Sequence, residues 1–412
     1  MIVDAGRFDA ALDRLRHTAI QPTEKGFAAI GPITPADLAA RQLQVYSTGL
    51  TTPLMVLRAT ALRNNVDVMA AWCTARDALH APHAKTTMSP QVVARQLGAG
   101  AWAVTVANVH QLRALHELGV RRFLVANQVT DRAAIRGLAA ARTADPSLDV
   151  ACYVDSTTGA DLLAAEPQPP LPVLIELGVP GGRTGVRDVE AARRLARYTG
   201  KSNLVICGVA GFEGTLGHDR SAEALEAVRG FCRQLGTLAG LLLADGTMRP
   251  TGADGFAGAD IVSAGGSVYF DVVAEELPAP GTRLVLRPGG YVAQDRGYLS
   301  LYSPLPALRP AFETLATVLS RPEPGLALLG AGKRDLPFDL GMPEVLDGGA
   351  SRTVFKLEDQ HAYLSLDGDD PLAPGDVVRL GGAHPCTAFD KWRFVPVLDD
   401  DDRVVDVFGT LF

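Results

Sequence analysis

Between residues 79 and 293 the chain repeats one pattern, a short apolar run followed by a longer amphipathic one. The apolar runs are LHAPHAKT (79–86), AWAVTVAN (101–108), RRFLVANQ (121–128), DVACYVDS (149–156), LPVLIELG (171–178), NLVICGVAG (203–211), ADIVSAGG (259–266) and RLVLRPGGYVA (283–293). Between them lie segments such as SPQVVARQLGAG, VHQLRALHELG and DVEAARRLARYTG, in which apolar residues recur every three or four positions and Gly closes the end. Eight strand–helix units in roughly 215 residues predict an α/β fold, a parallel (β/α)8 TIM-type barrel. The competing arrangement is an open doubly wound sheet.

After about residue 295 the texture changes. GYLSLYSPL, VFKLEDQHAYLSL, GDVVRLGGAHPC and WRFVPVLDDDDRVVDVFGTLF are short β-like runs broken by Gly, Pro and Asp, which predicts a second, mostly antiparallel domain. The early run PLMVL (53–57) precedes the barrel and can pair with that sheet. The expected organisation is therefore an N-terminal segment (1–74), a barrel (75–295) and a C-terminal β domain (296–412). The acid run Asp399 to Asp402 reads as a solvated hairpin turn. A formal net charge of −7 argues against a broad nucleic-acid surface. No apolar run of spanning length appears and the N-terminus carries acids, so the expectation is a cytoplasmic protein. Five cysteines in so long a chain do not read as a disulfide framework. Cys73, Cys152, Cys207 and Cys232 lie in apolar or helical settings, whereas Cys386 has His, Pro and Thr for neighbours.

In such a barrel the chemistry sits at the C-terminal ends of the strands. Lys85, in PHAKTTMSP, ends the first of them. A lysine drawn into the barrel mouth loses hydration, its pKa falls, and the neutral amine can form a Schiff base. Schiff-base lysines bind pyridoxal phosphate, whose phosphate needs a separate cradle. Strand seven ends in SAGGSVYFD and strand eight contains RPGGY. Backbone N–H groups of Gly265, Gly266 and Ser267, and of Gly289 and Gly290, can face a phosphate there.

The motifs PHAKT, GGRTG after ELGVP, GFEG after the sixth strand, SAGGS, RPGGYV, DQHAYL and HPCTAFDKW occur in this order. In this the chain resembles the fold-type III pyridoxal-phosphate enzymes related to alanine racemase. The nearest branch is the D-serine dehydratase and D-threonine aldolase group, especially the bacterial amino acid deaminases. The resemblance spans residues 50–412. It implies a barrel plus β domain and a homodimer, with a small D-amino acid as substrate and neither nucleic acid nor membrane as partner. By the same resemblance Lys85 holds the cofactor and Arg183 in GGRTG approaches cofactor and lysine, the alternative for Arg183 being a structural arginine in a Gly-rich turn. Tyr291 matches an aromatic position of the strand-eight motif. Glu213 in GFEG is the candidate for the pyridine nitrogen, a solvated loop acid being the alternative, and His83 reads as packing against or positioning Lys85.

The resemblance also supplies a need for metal. In that branch a divalent ion near the cofactor contacts the substrate's β-hydroxyl, held by a His-x-Cys or His-x-Asp pair, and His384 and Cys386 in HPCTAF match the first. Zn2+ suits imidazole and thiolate, whereas Mn2+ or Mg2+ favours a carboxylate. The implied reaction is β-elimination from a hydroxy-D-amino acid such as D-serine or D-threonine, giving a 2-oxo acid and ammonia. Retro-aldol cleavage, as in aldolases of D-threonine or 3-hydroxy-D-aspartate, is the alternative. A plain racemase leaves the metal pair unexplained. Lys333 and Arg334 in GKRD either receive a second substrate carboxylate or face water.

Overall fold

The computed structural model describes residues 1–28, 31–217, 219–248, 255–277, 280–347 and 351–412. The chain divides into two compact units. The first comprises Met1–Phe8, Ala70–Lys85 and Gln96–Gly289, and the second comprises Asp9–Met69, Thr86–Arg95 and Gly290–Phe412. The first strand of the chain, β1 (Leu54–Arg58), belongs to the second unit.

The first unit holds eight parallel strands: β2 (Leu79–His80), β3 (Val104–Val106), β4 (Arg122–Gln128), β5 (Asp149–Val154), β6 (Leu171–Leu177), β7 (Leu204–Gly211), β8 (Ile261–Ala264) and β9 (Arg283–Leu286). Their order is β2-β9-β8-β7-β6-β5-β4-β3, so neighbours in sequence are neighbours in the sheet except where the end meets the beginning. That seam is closed. The Trp102 N–H donates to the His80 carbonyl at 2.7 Å and the Thr105 N–H to the Pro82 carbonyl at 2.9 Å. The Thr105 hydroxyl donates to the Ala81 carbonyl at 2.6 Å. An open doubly wound sheet has two free edges; this one has none at the seam, and the barrel expectation holds.

Local sequence sets where five of the crossover helices start. Asn108, Asp131, Ser156, Asp188 and Ser221 each lie between a strand and a helix, and each side chain accepts the backbone N–H three residues on. Such caps satisfy an N–H that has no partner within the helix. The lower interior is filled by Trp102, Leu124, Ala151, Leu174, Cys207, Phe256 and Ile261. Trp102 and Phe256 meet edge to face with ring centroids 4.9 Å apart. Apolar filling of one end leaves the other end for polar groups.

The second unit is built on β1, β10 (Phe312–Glu323), β11 (Leu326–Leu329), β12 (Glu344–Val345), β13 (Thr353–Leu357), β14 (Ala362–Ser365), β15 (Val377–Gly381), β16 (Phe394–Leu398) and β17 (Val404–Gly409). The order β13-β14-β11-β10-β1-β16-β17 is antiparallel throughout except where β1 runs parallel to β16, and β15 also pairs with β10. Within it, Glu313 is buried between the guanidinium groups of Arg58 and Arg379, which offsets the cost of its desolvation. The acid run is the β16–β17 turn. The Asp399 carboxylate accepts the N–H groups of Asp401 and Arg403 at 3.0 and 2.8 Å, and Asp402 takes a positive φ of 60°.

Candidate active site

Lys85 follows β2 in a single 3-10 turn, Ala84–Thr86. Its side chain is exposed within this chain, so the desolvation expected from the sequence is not met. β2 is only two residues long, and Lys85 lies in the turn beyond it rather than on the strand. Next to it, His83 pairs with Thr105 across the barrel seam, and its Nδ1 is buried without a hydrogen-bond partner among the described residues. Burial first, and then the nearby positive charges of Lys85, Arg287 and Arg183, push His83 well below the usual imidazole range. A neutral imidazole among three cations makes this part of the first unit suited to anionic groups.

Arg183 lies in the turn after β6. Its guanidinium carbon sits 4.5 Å from the centre of the Phe212 ring, a cation–π contact. The turn itself is stitched from both sides. Arg187 donates to the carbonyls of Gly182, Arg183 and Thr184 at 3.1, 2.6 and 3.0 Å. The Thr184 hydroxyl donates to Glu176 at 3.1 Å and the Gly185 N–H to Asp155 at 3.1 Å. Glu176 is buried, also accepts from Gln128, and is raised above the usual carboxylate range by desolvation.

Glu213 is fully buried rather than a solvated loop acid, and its carboxylate accepts the backbone N–H groups of Gly265 (3.1 Å) and Gly266. The two donors that the sequence offered to a phosphate are thus bonded to a side chain of the same barrel. Gly265 has a positive φ of 89°, and a Cβ there would lie 2.6 Å from Leu286 Cδ2. Glycine is required at this turn on both counts. Ser267 follows, half-buried, and the next helix runs Phe270–Glu276. Gly289 and Gly290 are buried.

Sequence reading used the RPGG motif for its glycines and passed over its arginine. Arg287 is 7% exposed and donates through Nε to the Ser263 hydroxyl at 2.8 Å and through Nη2 to the Gly211 carbonyl at 2.6 Å. Tyr153, with its ring 5.7 Å from the Arg287 guanidinium, is held neutral as burial pushes its phenol up to about 12. Neither residue stands in a motif that periodicity alone would flag.

Tyr291 belongs to the second unit, where it is buried in the turn Gly290–Val292. The same unit carries His384 and Cys386. His384 Nδ1 lies 2.6 Å from Asp339 Oδ2, and the Thr387 hydroxyl donates to Asp339 Oδ1 at 2.7 Å. Cys386 Sγ lies 3.4 Å from the Thr86 hydroxyl. Burial works against charge on His384, but Cys386 and Asp339 outweigh it and raise the imidazole to about 9. Cys386 is half-buried, while the other four cysteines are buried, and desolvation pushes the thiols of Cys73 and Cys152 up to about 12. Lys333 and Arg334 are exposed.

The donor set tests whether a metal fits. With Nδ1 turned to a carboxylate, Nε2 is the nitrogen of His384 that could serve a metal in place of its interaction with Cys386, the arrangement common to metal-bound histidines. Imidazole and thiolate together suit Zn2+. Among the described residues no third His, Cys, Asp or Glu joins the pair as a ligand group. A cofactor phosphate and phenolate likewise fit the three cations around His83.

The N-terminal domain model of alanine racemase matches residues 57–271, and the "Putative serine dehydratase domain" matches residues 311–398. The chain is similar to D-threonine aldolase of an Arthrobacter species, 27% identical over 92% of this chain and 95% of that protein. It is similar to 3-hydroxy-D-aspartate aldolase of Paracoccus denitrificans (strain Pd 1222), 28% identical over 81% of this chain and 85% of that protein. Among solved structures, D-threo-3-hydroxyaspartate dehydratase from Delftia sp. HT23 superposes with a TM-score of 0.72 at 22% identity, covering 88% of this chain and 98% of that one. D-threo-3-hydroxyaspartate dehydratase is also solved as a cysteine-to-alanine variant in a metal-free form and as a histidine-to-alanine variant, the two positions lying two residues apart. No helix among the described residues is long and apolar enough to cross a membrane. The barrel, the sheet domain and the extent of these matches together place the chain in the fold-type III pyridoxal-phosphate family, of the D-serine dehydratase and D-threonine aldolase type.

Proposed function

We propose that the chain is a pyridoxal-phosphate- and metal-dependent lyase that removes the β-hydroxyl of a hydroxy-D-amino acid such as D-serine or D-threonine, releasing a 2-oxo acid and ammonia. The observation that carries this reading is the His384–Cys386 pair with His384 Nδ1 anchored on Asp339. A racemase has no use for such a pair. Zn2+ is the ion that this donor set favours over Mn2+ or Mg2+.

When bound, the two groups supply an electron sink beside the substrate's Cα and Lewis acidity at its β-hydroxyl. Lys85 would hold the cofactor and, once its amine is free, accept the proton from Cα. Arg183, held by the Arg187 stitching, would approach the cofactor with little freedom to move. Ser267 and the buried Arg287 would offer donors to its anionic groups. Glu213 would act at one remove, fixing the Gly265–Gly266 turn, rather than touch the pyridine nitrogen. Asp339 would keep the His384 proton at Nδ1, leaving Nε2 for the ion.

Cleavage of the Cα–Cβ bond is the second reading, favoured by the aldolase relatives at 27% and 28% identity. It uses the same Lys85 and the same metal pair but takes a proton from the β-hydroxyl. Product analysis with D-serine and D-threonine, with and without a chelator, separates the two. Chelator-sensitive 2-oxo acid and ammonia are expected. Glycine plus an aldehyde would move the chain to the aldolases, and chelator-insensitive racemisation would discard both readings.

A further inference from the structure

Asp295 is 1% exposed, yet only one of its carboxylate oxygens is used. Oδ1 accepts the N–H groups of Gly297 and Leu299 at 2.9 and 2.8 Å. Oδ2 is buried and has no hydrogen-bond partner among the described residues. An unpaired buried carboxylate oxygen is costly to keep, so a donor absent from the protein chain is expected to meet it. The segment lies against the strand end that carries His384. The Arg296 N–H donates to the Gly382 carbonyl at 3.2 Å, and a Cβ on Gly297 would stand 2.8 Å from Ala383 Cβ. The charge of His384 is felt at Asp295, where burial nonetheless raises the carboxyl to about 7.

Two protein ligands leave a divalent ion with open positions that water or a substrate hydroxyl fills, and those O–H groups need acceptors. Asp295 is not a direct ligand in this arrangement, because no three His, Cys, Asp or Glu residues group at ligand distance among the described residues. We propose that Asp295 Oδ2 is the outer acceptor of the metal centre, taking a hydrogen bond from the water or hydroxyl bound to the ion on His384 and Cys386. The inference rests on reading that pair as metal ligands. It adds a second carboxylate to Asp339: one orients the ligand histidine, and the other orients what the metal carries.

The test is Asp295→Asn in the full chain. An Asn side chain keeps an oxygen for Gly297 and Leu299 while replacing the free oxygen with an N–H donor. Zn2+ affinity is measured by competition with a chromophoric chelator, and the thiolate charge-transfer band is recorded with Co2+. Zn2+ binding should weaken about 10–100-fold, with the Co2+ band retained and the metal-free melting temperature close to that of the parent. Affinity within about twofold of the parent would overturn the proposal, since a cap alone does not sense the ion. If the Asn variant does not fold, a zinc-loaded crystal structure of the parent decides. Oδ2 about 2.6–3.2 Å from a metal-bound oxygen supports the proposal, and direct ligation or a separation beyond hydrogen-bond reach sinks it. Failure of the underlying reading looks different: the parent would bind no stoichiometric metal, and Cys386→Ala would leave the Co2+ spectrum unchanged.

Discussion

His384 Nδ1 and Asp339 Oδ2 lie 2.6 Å apart although the residues are 45 positions apart in the chain. A carboxylate there fixes both tautomer and ring orientation, and such partners typically set metal affinity by one to two orders of magnitude. Asp339→Asn should therefore weaken Zn2+ binding about 10–100-fold while leaving the two ligands in place. Asp339 is itself partly exposed, so the melting temperature of the metal-free protein should change little. Equal affinity in a competition titration would remove Asp339 from the site.

The Lys85 side chain is exposed and makes no hydrogen bond or ion pair among the described residues. Lys85→Ala should change the unfolding free energy by less than about 0.5 kcal/mol, as surface substitutions do. The visible absorbance of a lysine-linked cofactor should disappear from the purified protein, and turnover of hydroxy-D-amino acids with it. A variant that keeps the visible band would mean that another amine holds the cofactor.

Burial lowers His80 to about 3, against an unfolded value of 6.5. Between those values the unfolded chain binds a proton that the folded chain does not, so this residue's contribution to stability rises with pH across that window and is flat above it. Asp295, raised to about 7 by burial, works in the opposite direction between 3.8 and 7. The parent's pH profile thus mixes two signs, and a difference isolates one. The stability difference between the parent and His80→Gln should grow in the parent's favour from pH 5 to 6.5, by up to about 1.4 kcal/mol per pH unit, and then level off. A difference independent of pH would show that folding leaves the His80 pKa unchanged.

The barrel was legible because its strands are short runs of apolar residues, and five of its helices announce themselves with a cap such as Asn108 or Asp188. Those are local signals with fixed periods. The site was legible only where a motif concentrates it, at Lys85, at the Gly265–Gly266 turn and at His384-x-Cys386. Asp339 and Asp295 carry no such mark. Each is a lone acid in a loop: Asp339 is distinguished by its contact with His384 45 positions on, and Asp295 by the burial of a carboxylate oxygen that no described residue meets, neither of which sequence spacing encodes. Glu213 shows the opposite failure. Its motif was visible, but a buried carboxylate and a solvated one have the same letter, and only the packing revealed that it serves two backbone N–H groups.

Glu213 invites the most direct dissection of that turn. Its two oxygens accept from Gly265 and Gly266 at zero exposure. Glu213→Gln keeps one acceptor and turns an amide N–H towards a backbone N–H, leaving a buried donor unpaired at a cost of about 1–3 kcal/mol. A lowered unfolding midpoint is expected, together with weaker retention of cofactor, because the turn that leads to Ser267 is held by this carboxylate. Glu213→Asp should be worse than Gln for the midpoint, since the shorter side chain reaches neither N–H well. If instead Glu213→Gln leaves stability and cofactor retention unchanged but shifts the absorbance of the bound cofactor, the carboxylate contacts the ring. The assignment to the pyridine nitrogen, first suggested by the GFEG motif, would then replace the role argued from the hydrogen bonds.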